Sequence, residues 1–192
     1  MESQKTVFIV GKKVILRPPN DTDAEMFCRW VNDPEVRHFI SAIFPSGIKQ
    51  ERDWIENANK DDKNVILVIE IKDSGIPIGT MGLHRIDWIS RTAFTGALIG
   101  EKEFWGKGFG TDAKINLLNY AFNTLNLRKI CSSALSYNGR SIGHNLHCGY
   151  KIEGIRKNQF FRKGRYWDEV MLSVIKKDWA PLWRKYVNKD GF

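Results

Sequence analysis

The 192-residue sequence is poor in cysteine and contains no long apolar run. Its three cysteines, Cys28, Cys131 and Cys148, lack the Cys-x-x-Cys spacing of zinc and dithiol sites. An odd, scattered set favours a reducing compartment, so we expect a cytoplasmic protein. No apolar stretch approaches the roughly 18 residues of a membrane span. Residues 7–10 are too few for the apolar core of a signal peptide, and we expect no membrane partner.

Repeats, linkers and low-complexity segments are also absent, so we expect one domain over residues 1–192. The net charge of +8 lies in the last third of the chain. Residues 128–192 contain 14 Lys or Arg against 5 Asp or Glu. A solvated surface explains such an excess. An acidic or phosphorylated substrate, a phosphorylated cofactor or ribosomal RNA explains it equally well.

One glycine-rich segment precedes a stretch of helical periodicity, Phe104-Trp105-Gly106-Lys107-Gly108-Phe109-Gly110-Thr111. Glycine allows sharp turns and close approach because it has no Cβ. Backbone N–H groups at a helix start bind anions, and Lys107 adds charge, so the segment predicts a diphosphate cradle. A tight connection without a ligand is the alternative. A P-loop would need Ser or Thr in place of Gly108, and a dinucleotide fingerprint fits poorly because Thr111 stands where its last glycine could.

Short β-like runs alternate with helical periodicity along the chain. Strands are predicted over residues 14–17, 65–71, 77–86, 93–99, 129–135, 150–159 and 170–175. Helices are predicted after residue 21, over 48–60, after the glycine-rich segment, over 138–147 and over 178–187. Thr22 and Glu25 have the spacing of a capping box at the start of the first helix. The chain is therefore expected to fold as an α/β (α+β) protein.

Several spaced segments carry a family resemblance. Besides the glycine-rich segment, they are Arg29-Trp-Val-Asn-Asp-Pro34, Asn138-Gly-Arg-Ser141, Cys148-Gly-Tyr150, Glu153-Gly154 and Gly164-Arg-Tyr-Trp-Asp168. In this order they resemble the GNAT acyl-CoA N-acyltransferase superfamily. The resemblance is greatest to the branch of ribosomal-protein N-terminal acetyltransferases and spermidine acetyltransferase, and it spans residues 10–180.

The resemblance implies a GNAT fold with a mixed, mostly antiparallel central sheet, splayed in the middle, and flanking helices. It also implies acetyl-CoA as cosubstrate. His144, His147 and Cys148 could share one helix face and suggest a metal site, but no fourth ligand lies nearby and no metal is expected. The residues implied in cofactor binding are Leu98, Ile99, Trp105, Gly106, Lys107, Gly108, Phe109, Gly110, Thr111, Asn138 and Ser141. The backbone of Leu98 or Ile99 would also donate to the oxyanion that forms during transfer. N-capping of the short helix by Asn138 needs no ligand and is the alternative.

An amine must lose a proton before it attacks a thioester, so the reaction needs a general base. The sequence leaves the identity of this base open. Phe160 stands near the place where the resemblance to ribosomal-protein acetyltransferases implies a glutamate. His84 and Asp87 are the predicted replacements, on a strand that the resemblance places on the substrate side. Histidine suits the role because it titrates near neutrality. A strand histidine with a satisfied hydrogen bond is the alternative.

The general acid is open as well. Asn145 stands where many GNAT enzymes have a tyrosine, and an asparagine side chain cannot protonate a thiolate. Ser141, Tyr137, Tyr150 or water are the replacements, and Ser141 is the predicted catalytic one. Asp168 is the predicted substrate-binding residue, which either binds a cationic amine or anchors its loop.

These residues predict an acetyl-CoA-dependent N-acetyltransferase that acetylates a primary amine of a small molecule or a protein N-terminus by direct attack on the thioester. An amino-sugar or nucleotide-sugar N-acetyltransferase is one alternative. A non-catalytic CoA-binding or ribosome/RNA-binding protein is the other. The acceptor amine is the expected partner, an acidic or phosphorylated substrate and a homodimer are compatible with the sequence, and nucleic acid is the less favoured partner.

Overall fold

The computed structural model describes residues 6–40, 42–58, 60 and 62–188. In this part of the chain the strands are β1 (Ile9–Val10), β2 (Val14–Arg17), β3 (Val65–Ile71), β4 (Pro77–Asp87), β5 (Thr92–Ile99), β6 (Lys129–Leu135), β7 (Lys151–Arg162) and β8 (Arg165–Ile175). The α-helices are α1 (Ala24–Asn32), α2 (Pro34–Arg37), α3 (Ile48–Asn57), α4 (Phe109–Asn119), α5 (Gly139–His147) and α6 (Lys176–Asn188). A π-helical turn, Tyr120–Thr124, follows α4 directly.

The strands form an eight-stranded sheet in the order β1-β2-β3-β4-β5-β6-β8-β7. Its ladders are antiparallel from β1 to β4 and again between β6, β8 and β7. β5 and β6 run parallel, and their ladder comprises three residue pairs, from Thr92↔Lys129 to Phe94↔Cys131. The predicted class, a mixed and mostly antiparallel sheet with helices, is confirmed.

The described residues group into two compact units. The first runs to His84 and resumes over Gly96–Leu117, and the second comprises Arg85–Thr95 and the chain from Leu118 onward. In the first unit a buried cluster joins α1 and α3 to the sheet: Ala24, Phe27, Trp30, Ile55 and Val68. In the second unit the buried rings of Phe122 and Trp179 lie 5.2 Å apart, which packs α6 against the π-helical turn.

The capping box predicted at Thr22 and Glu25 is wrong. Asn20 accepts a hydrogen bond from the Thr22 N–H at 3.0 Å, and Asp23 accepts one from the Asn20 N–H at 2.8 Å. The reason is a buried ion cluster that holds Asp23 against the sheet. The Arg17 guanidinium donates two bonds of 2.7 Å to Asp23 and one of 2.6 Å to Glu70.

The other predicted elements are confirmed with changes at their ends. The helix predicted over residues 48–60 ends at Asn57. β7 and β8 are longer than predicted because they pair with each other as far as Arg162↔Arg165. The short elements β1 and α2 were missed, although Asp33 and Pro34 form a normal cap and first turn for α2. No helix in the described residues combines the length and the apolar composition that a membrane crossing requires.

Candidate active site

The two units divide the predicted site residues between them. The first unit contains His84, Leu98, Ile99 and the glycine-rich segment from Trp105 to Thr111. The second unit contains Asp87, Asn138, Ser141 and Asp168.

The glycine-rich segment forms an open turn at the start of α4. Gly106 has φ +76° and Gly108 has φ +86°, a region that residues with a Cβ rarely adopt. A Cβ on Gly106 would meet nothing within 4 Å, and one on Gly108 would meet Lys13 Nζ at 3.3 Å. The backbone here is therefore accessible to another group.

The first turn of α4 supplies hydrogen-bond donors at this opening. The N–H of Asp112 donates to the Gly108 carbonyl at 3.0 Å and closes the first helical turn. The N–H groups of residues 109–111 precede that bond and have no partner within the helix, as at any α-helix start. Such groups, together with the helix dipole, attract an anion.

Two lysines add positive charge beside the turn. Lys13 Nζ donates to the Lys107 carbonyl at 3.2 Å and lies 5.9 Å from the centroid of the Phe109 ring. Lys107 Nζ lies 5.4 Å from the Phe104 ring centroid. The N–H of Lys13 also donates to the buried carboxylate of Asp112 at 2.8 Å, which ties β2 to α4. The sequence pattern does not point to Lys13, because this residue lies 94 positions before Lys107 in the chain.

The end of β5 connects to the same turn. The Trp105 indole N–H donates to the Ile99 carbonyl at 2.7 Å. The Gly100 N–H bonds to a carbonyl of β4, and the Leu98 carbonyl lies against Gly79 of β4. Backbone polar groups of successive strand residues point to opposite edges. The backbone N–H and carbonyl of Ile99 therefore point to the edge away from β4, whereas those of Leu98 point toward β4.

The His84 side chain lies on the face of the sheet, over two glycines. Its Nε2 atom is 2.9 Å from the position of a Cβ on Gly96 and 3.4 Å from that of a Cβ on Gly82. The imidazole is half-buried. Glycines on β4 and β5 thus leave the space that this ring occupies, a contact that the sequence pattern does not reveal.

Asp87 caps the turn between β4 and β5. Its carboxylate accepts hydrogen bonds from the N–H groups of Ile89 and Ser90, both at 2.9 Å. The Ser90 hydroxyl and these N–H groups hold the pKa of Asp87 below its usual value. A lower pKa makes a weaker base, so the geometry favours a structural role for Asp87.

The start of α5 is held by its cap. The buried Asn138 side chain accepts a hydrogen bond from the Ser141 N–H at 3.0 Å, which confirms N-capping. The Asn145 side chain donates to the Ser141 carbonyl at 2.9 Å, so the residue that replaces the expected tyrosine stabilises the helix. Ser141 is partly buried in the first turn.

Tyr150 packs in the second unit. Its buried hydroxyl shares a hydrogen bond of 2.9 Å with Thr95, whose hydroxyl lies 3.3 Å from the Cys131 carbonyl. Burial raises the pKa of Tyr150 far above its usual value, and the phenol stays protonated. Tyr137, another candidate acid, packs its ring 4.7 Å from Trp167, and burial raises its pKa too.

Asp168 lies on the hairpin arm, which we define as β7, β8 and their turn. Its carboxylate accepts bonds from the Asn158 N–H and Lys157 Nζ, both at 2.9 Å. These bonds lower the pKa of Asp168, and the backbone bond contributes most. Asn158 has φ +53° and lies in the irregularity between Arg156 and Phe160. Of the two roles left open, the contacts favour anchoring.

A family model described as an acetyltransferase (GNAT) domain matches residues 13–151 of the chain. The chain belongs to the GNAT acetyltransferase family. This GNAT protein is accordingly an acyltransferase, as predicted. GNAT acetyltransferases use acetyl-CoA. Within the described residues, no group of three or more His, Cys, Asp or Glu side chains could hold a metal ion.

Individual relatives agree with this family. The uncharacterized N-acetyltransferase p20 of Bacillus licheniformis is 30% identical over 173 residues, covering 88% of this chain and 96% of p20. The spermidine N(1)-acetyltransferase of Vibrio cholerae is 31% identical over 113 residues, covering 59% of this chain and 61% of the relative. The predicted likeness to spermidine acetyltransferase is confirmed.

A solved structure shows the same fold. It is a spermidine N-acetyltransferase from Vibrio cholerae in complex with CoA and spermine, with a TM-score of 0.81 and 23% identity. The match covers 88% of this chain and 98% of the other.

Proposed function

We propose that this GNAT protein transfers the acetyl group of acetyl-CoA to a primary amine of a small molecule or a protein N-terminus. The observation that carries the proposal is the turn at Gly106 and Gly108, open on one side and followed by the first-turn N–H groups of α4. Two glycines at alternate positions, with positive φ and no Cβ, leave backbone donors accessible to a diphosphate. Lys13 and Lys107 supply the matching charge.

The chain's own groups then take separate roles. The edge of β5 that faces away from β4 presents the backbone N–H of Ile99, whose carbonyl accepts from the Trp105 indole, and we assign to this N–H the pairing with the pantetheine amides. Leu98 is the weaker candidate because its carbonyl already lies against β4. Asn138 and Ser141 remain proposed cofactor contacts at the start of α5, with the cap keeping that turn in place.

Acetyl-CoA supplies an activated thioester that the amine attacks directly, so no covalent enzyme intermediate is needed. His84 is the proposed base, because its ring is held over Gly82 and Gly96 and imidazole accepts a proton near neutral pH. Asp87 is assigned a structural role in the turn between β4 and β5, and Asp168 a structural role in the hairpin arm. Ser141 stays the proposed proton donor to the leaving thiolate, since the Tyr150 hydroxyl is bonded to Thr95.

One GNAT domain over residues 1–192, a cytoplasmic location and a homodimer also remain predictions. Gel filtration with light scattering would measure whether the protein forms a homodimer.

The proposal is tested by release of CoA thiol from acetyl-CoA across a panel of amines. Turnover with at least one amine is expected. Binding of acetyl-CoA without turnover of any amine would instead favour a non-catalytic CoA-binding protein.

The cradle is tested separately with Gly108→Glu against Gly108→Ala. Both variants carry the same strain, because both place a Cβ at φ +86°. Only glutamate adds bulk and negative charge where the diphosphate would bind. Calorimetry should show weakened acetyl-CoA binding for the alanine variant and none for the glutamate variant, with similar melting temperatures. Equal affinities in the two variants would remove the cradle from the proposal.

A further inference from the structure

The tip of the hairpin arm concentrates positive charge. β7 ends at Arg162, the turn is Lys163-Gly164, and β8 begins at Arg165. Arg162 and Arg165 are paired directly across the ladder, and Lys163 has φ +50°. Like charges opposite each other destabilise a strand pair, and a non-glycine residue at positive φ is uncommon. Fold stability alone therefore does not account for three cations within four residues.

The arm has no carboxylate left to neutralise these cations. Its three carboxylates are each paired with another cation, Glu153 with Lys129 at 2.6 Å, Asp168 with Lys157 at 2.9 Å and Glu169 with Arg156 at 3.0 Å. Across the part of the chain that the structure describes, no carboxylate forms an ion pair with Arg162, Lys163 or Arg165. The tip consequently presents a net charge of the sign that attracts anions.

Aromatic rings hold the two guanidinium groups in place. Arg165 Cζ lies 3.6 Å from the centroid of the Trp167 ring, and Arg162 Cζ lies 5.9 Å from that of Phe160. The Trp167 indole N–H also donates to the Arg162 carbonyl at 3.3 Å. Arg162 Nη1 also donates to the Phe161 carbonyl at 2.9 Å, which fixes this guanidinium and uses one of its donors. The other N–H donors of Arg162 and those of Arg165 can bind a phosphate or a carboxylate.

The tip is connected to one of the proposed site elements. Trp167 packs its ring 4.7 Å from Tyr137, the residue that precedes the Asn138 cap of α5. The Ser136 N–H also donates to the Asp168 carbonyl at 2.9 Å, which joins the arm to the same loop. A group held at the tip thus lies on the arm that supports the start of α5.

We propose that Arg162, Lys163 and Arg165 bind the phosphate group of a small phosphorylated amine, which is the acceptor in the acetyl transfer proposed above. Two guanidinium forks and an ammonium match the three oxygens and double charge of a phosphate monoester. The same charges repel a polycation such as spermidine, the amine that gives the Vibrio cholerae relative its name. This inference rests on the proposed function and narrows its acceptor class.

The test compares acceptors that differ only in phosphate. Glucosamine and glucosamine 6-phosphate are assayed with acetyl-CoA in the wild type, in Arg162→Gln/Arg165→Gln and in the control Arg184→Gln. Arg184 is an exposed arginine on α6, the helix that follows the end of β8 opposite the tip, so its substitution removes one positive charge away from the tip. Roughly tenfold or greater preference in kcat/KM for the phosphorylated amine is expected in the wild type and the control.

The paired variant should lose that preference, because without the phosphate contacts the two sugars are bound alike. Equal kcat/KM for the two sugars in the wild type, an undiminished preference in the paired variant, or a higher kcat/KM for spermidine would each overturn the proposal. Tight binding of a single-stranded oligouridine that the paired variant loses, without any phosphate preference, would assign the tip to nucleic acid instead.

Direct binding separates this inference from the proposed function. Calorimetry with glucosamine 6-phosphate and with glucosamine, in the presence of CoA, does not depend on turnover. Binding of the phosphorylated sugar to the wild type but not to the paired variant, with no amine acetylated, would support the phosphate site and contradict the acetyl transfer. Acetylation of amines without selective binding of the phosphorylated sugar would contradict the phosphate site alone.

Discussion

The Nε2 atom of His84 lies 2.9 Å from the point that a Cβ on Gly96 would occupy. A methyl group there must displace the imidazole, because a separation below 3.0 Å is shorter than real Cβ contacts. The glycine on β5 thus determines where the proposed base on β4 can lie.

Gly96→Ala is expected to lower kcat on the order of 100-fold, since a small displacement of a catalytic group costs about that much. The KM for acetyl-CoA should stay close to that of the wild type.

His84→Ala should lower kcat as well and remove the acid limb of the pH–rate profile. Steady-state kinetics over a range of pH measures both effects.

The double variant distinguishes a role through His84 from a general loss of packing. If Gly96 acts by placing His84, His84→Ala/Gly96→Ala is no slower than His84→Ala alone. Gly143→Ala is the control, because a Cβ on Gly143 meets nothing within 4 Å. A wild-type pH profile in His84→Ala would exclude His84 as base.

Lys13→Gln is expected to raise the KM for acetyl-CoA several-fold, because it removes a charge that lies 3.2 Å from the Lys107 carbonyl of the cradle. The KM for S-acetylpantetheine, which has no diphosphate, should not change. Lys49→Gln on α3 is the control for loss of one positive charge. Equal increases in the KM for acetyl-CoA and in the KM for S-acetylpantetheine would show that Lys13 does not act on the phosphates.

Asp23→Ala is expected to lower the free energy of unfolding by about 3–5 kcal/mol, because it leaves part of the buried charge of Arg17 without its partner. Urea denaturation measures the change. Asp53→Ala removes the exposed Asp53–Lys49 pair and should cost less than about 1 kcal/mol. Similar losses in the two variants would contradict the importance of the buried cluster.

The buried phenol of Tyr150 is expected to make the free energy of unfolding decrease at alkaline pH. Its raised pKa means that the folded chain keeps the phenol proton at a pH where the unfolded chain loses it. Stability from this group is therefore complete below the unfolded pKa of about 10 and declines as the pH rises further, by at most about 1.4 kcal/mol per pH unit.

Tyr150→Phe should flatten that decline, and urea denaturation at several pH values above 9 and up to about 11 measures it. Tyr166→Phe is the matched control, because Tyr166 is 62% exposed. A pH dependence identical to that of the wild type in Tyr150→Phe would show that the phenol does not limit alkaline stability.

Features that depend on neighbours in sequence were predictable. The glycine-rich turn could be recognised because its glycines and the following helix are contiguous, and the cap at Asn138 because its side chain accepts a bond from a residue three positions later. The order of strands and helices followed from periodicity, and the family followed from spaced motifs that the comparisons confirm.

Features that depend on contacts across the sheet were not predictable. Arg17 binds Asp23 directly and also binds Glu70 on β3, and Asp23 rather than Glu25 then completes the capping box with Asn20. The pairing of β7 with β8 extended both strands beyond their apolar stretches, since backbone hydrogen bonds need no apolar side chain.

Residue types at set spacings were enough to predict the family, the kinds of elements and the glycine-rich turn before α4. Folding brings Lys13 to that turn and Gly96 beneath His84, and it leaves the arginines at the arm's tip without a carboxylate partner among the residues that the structure describes. Each of these is a short-range contact or charge balance among residues that folding brings together, and neither property is encoded in any local pattern.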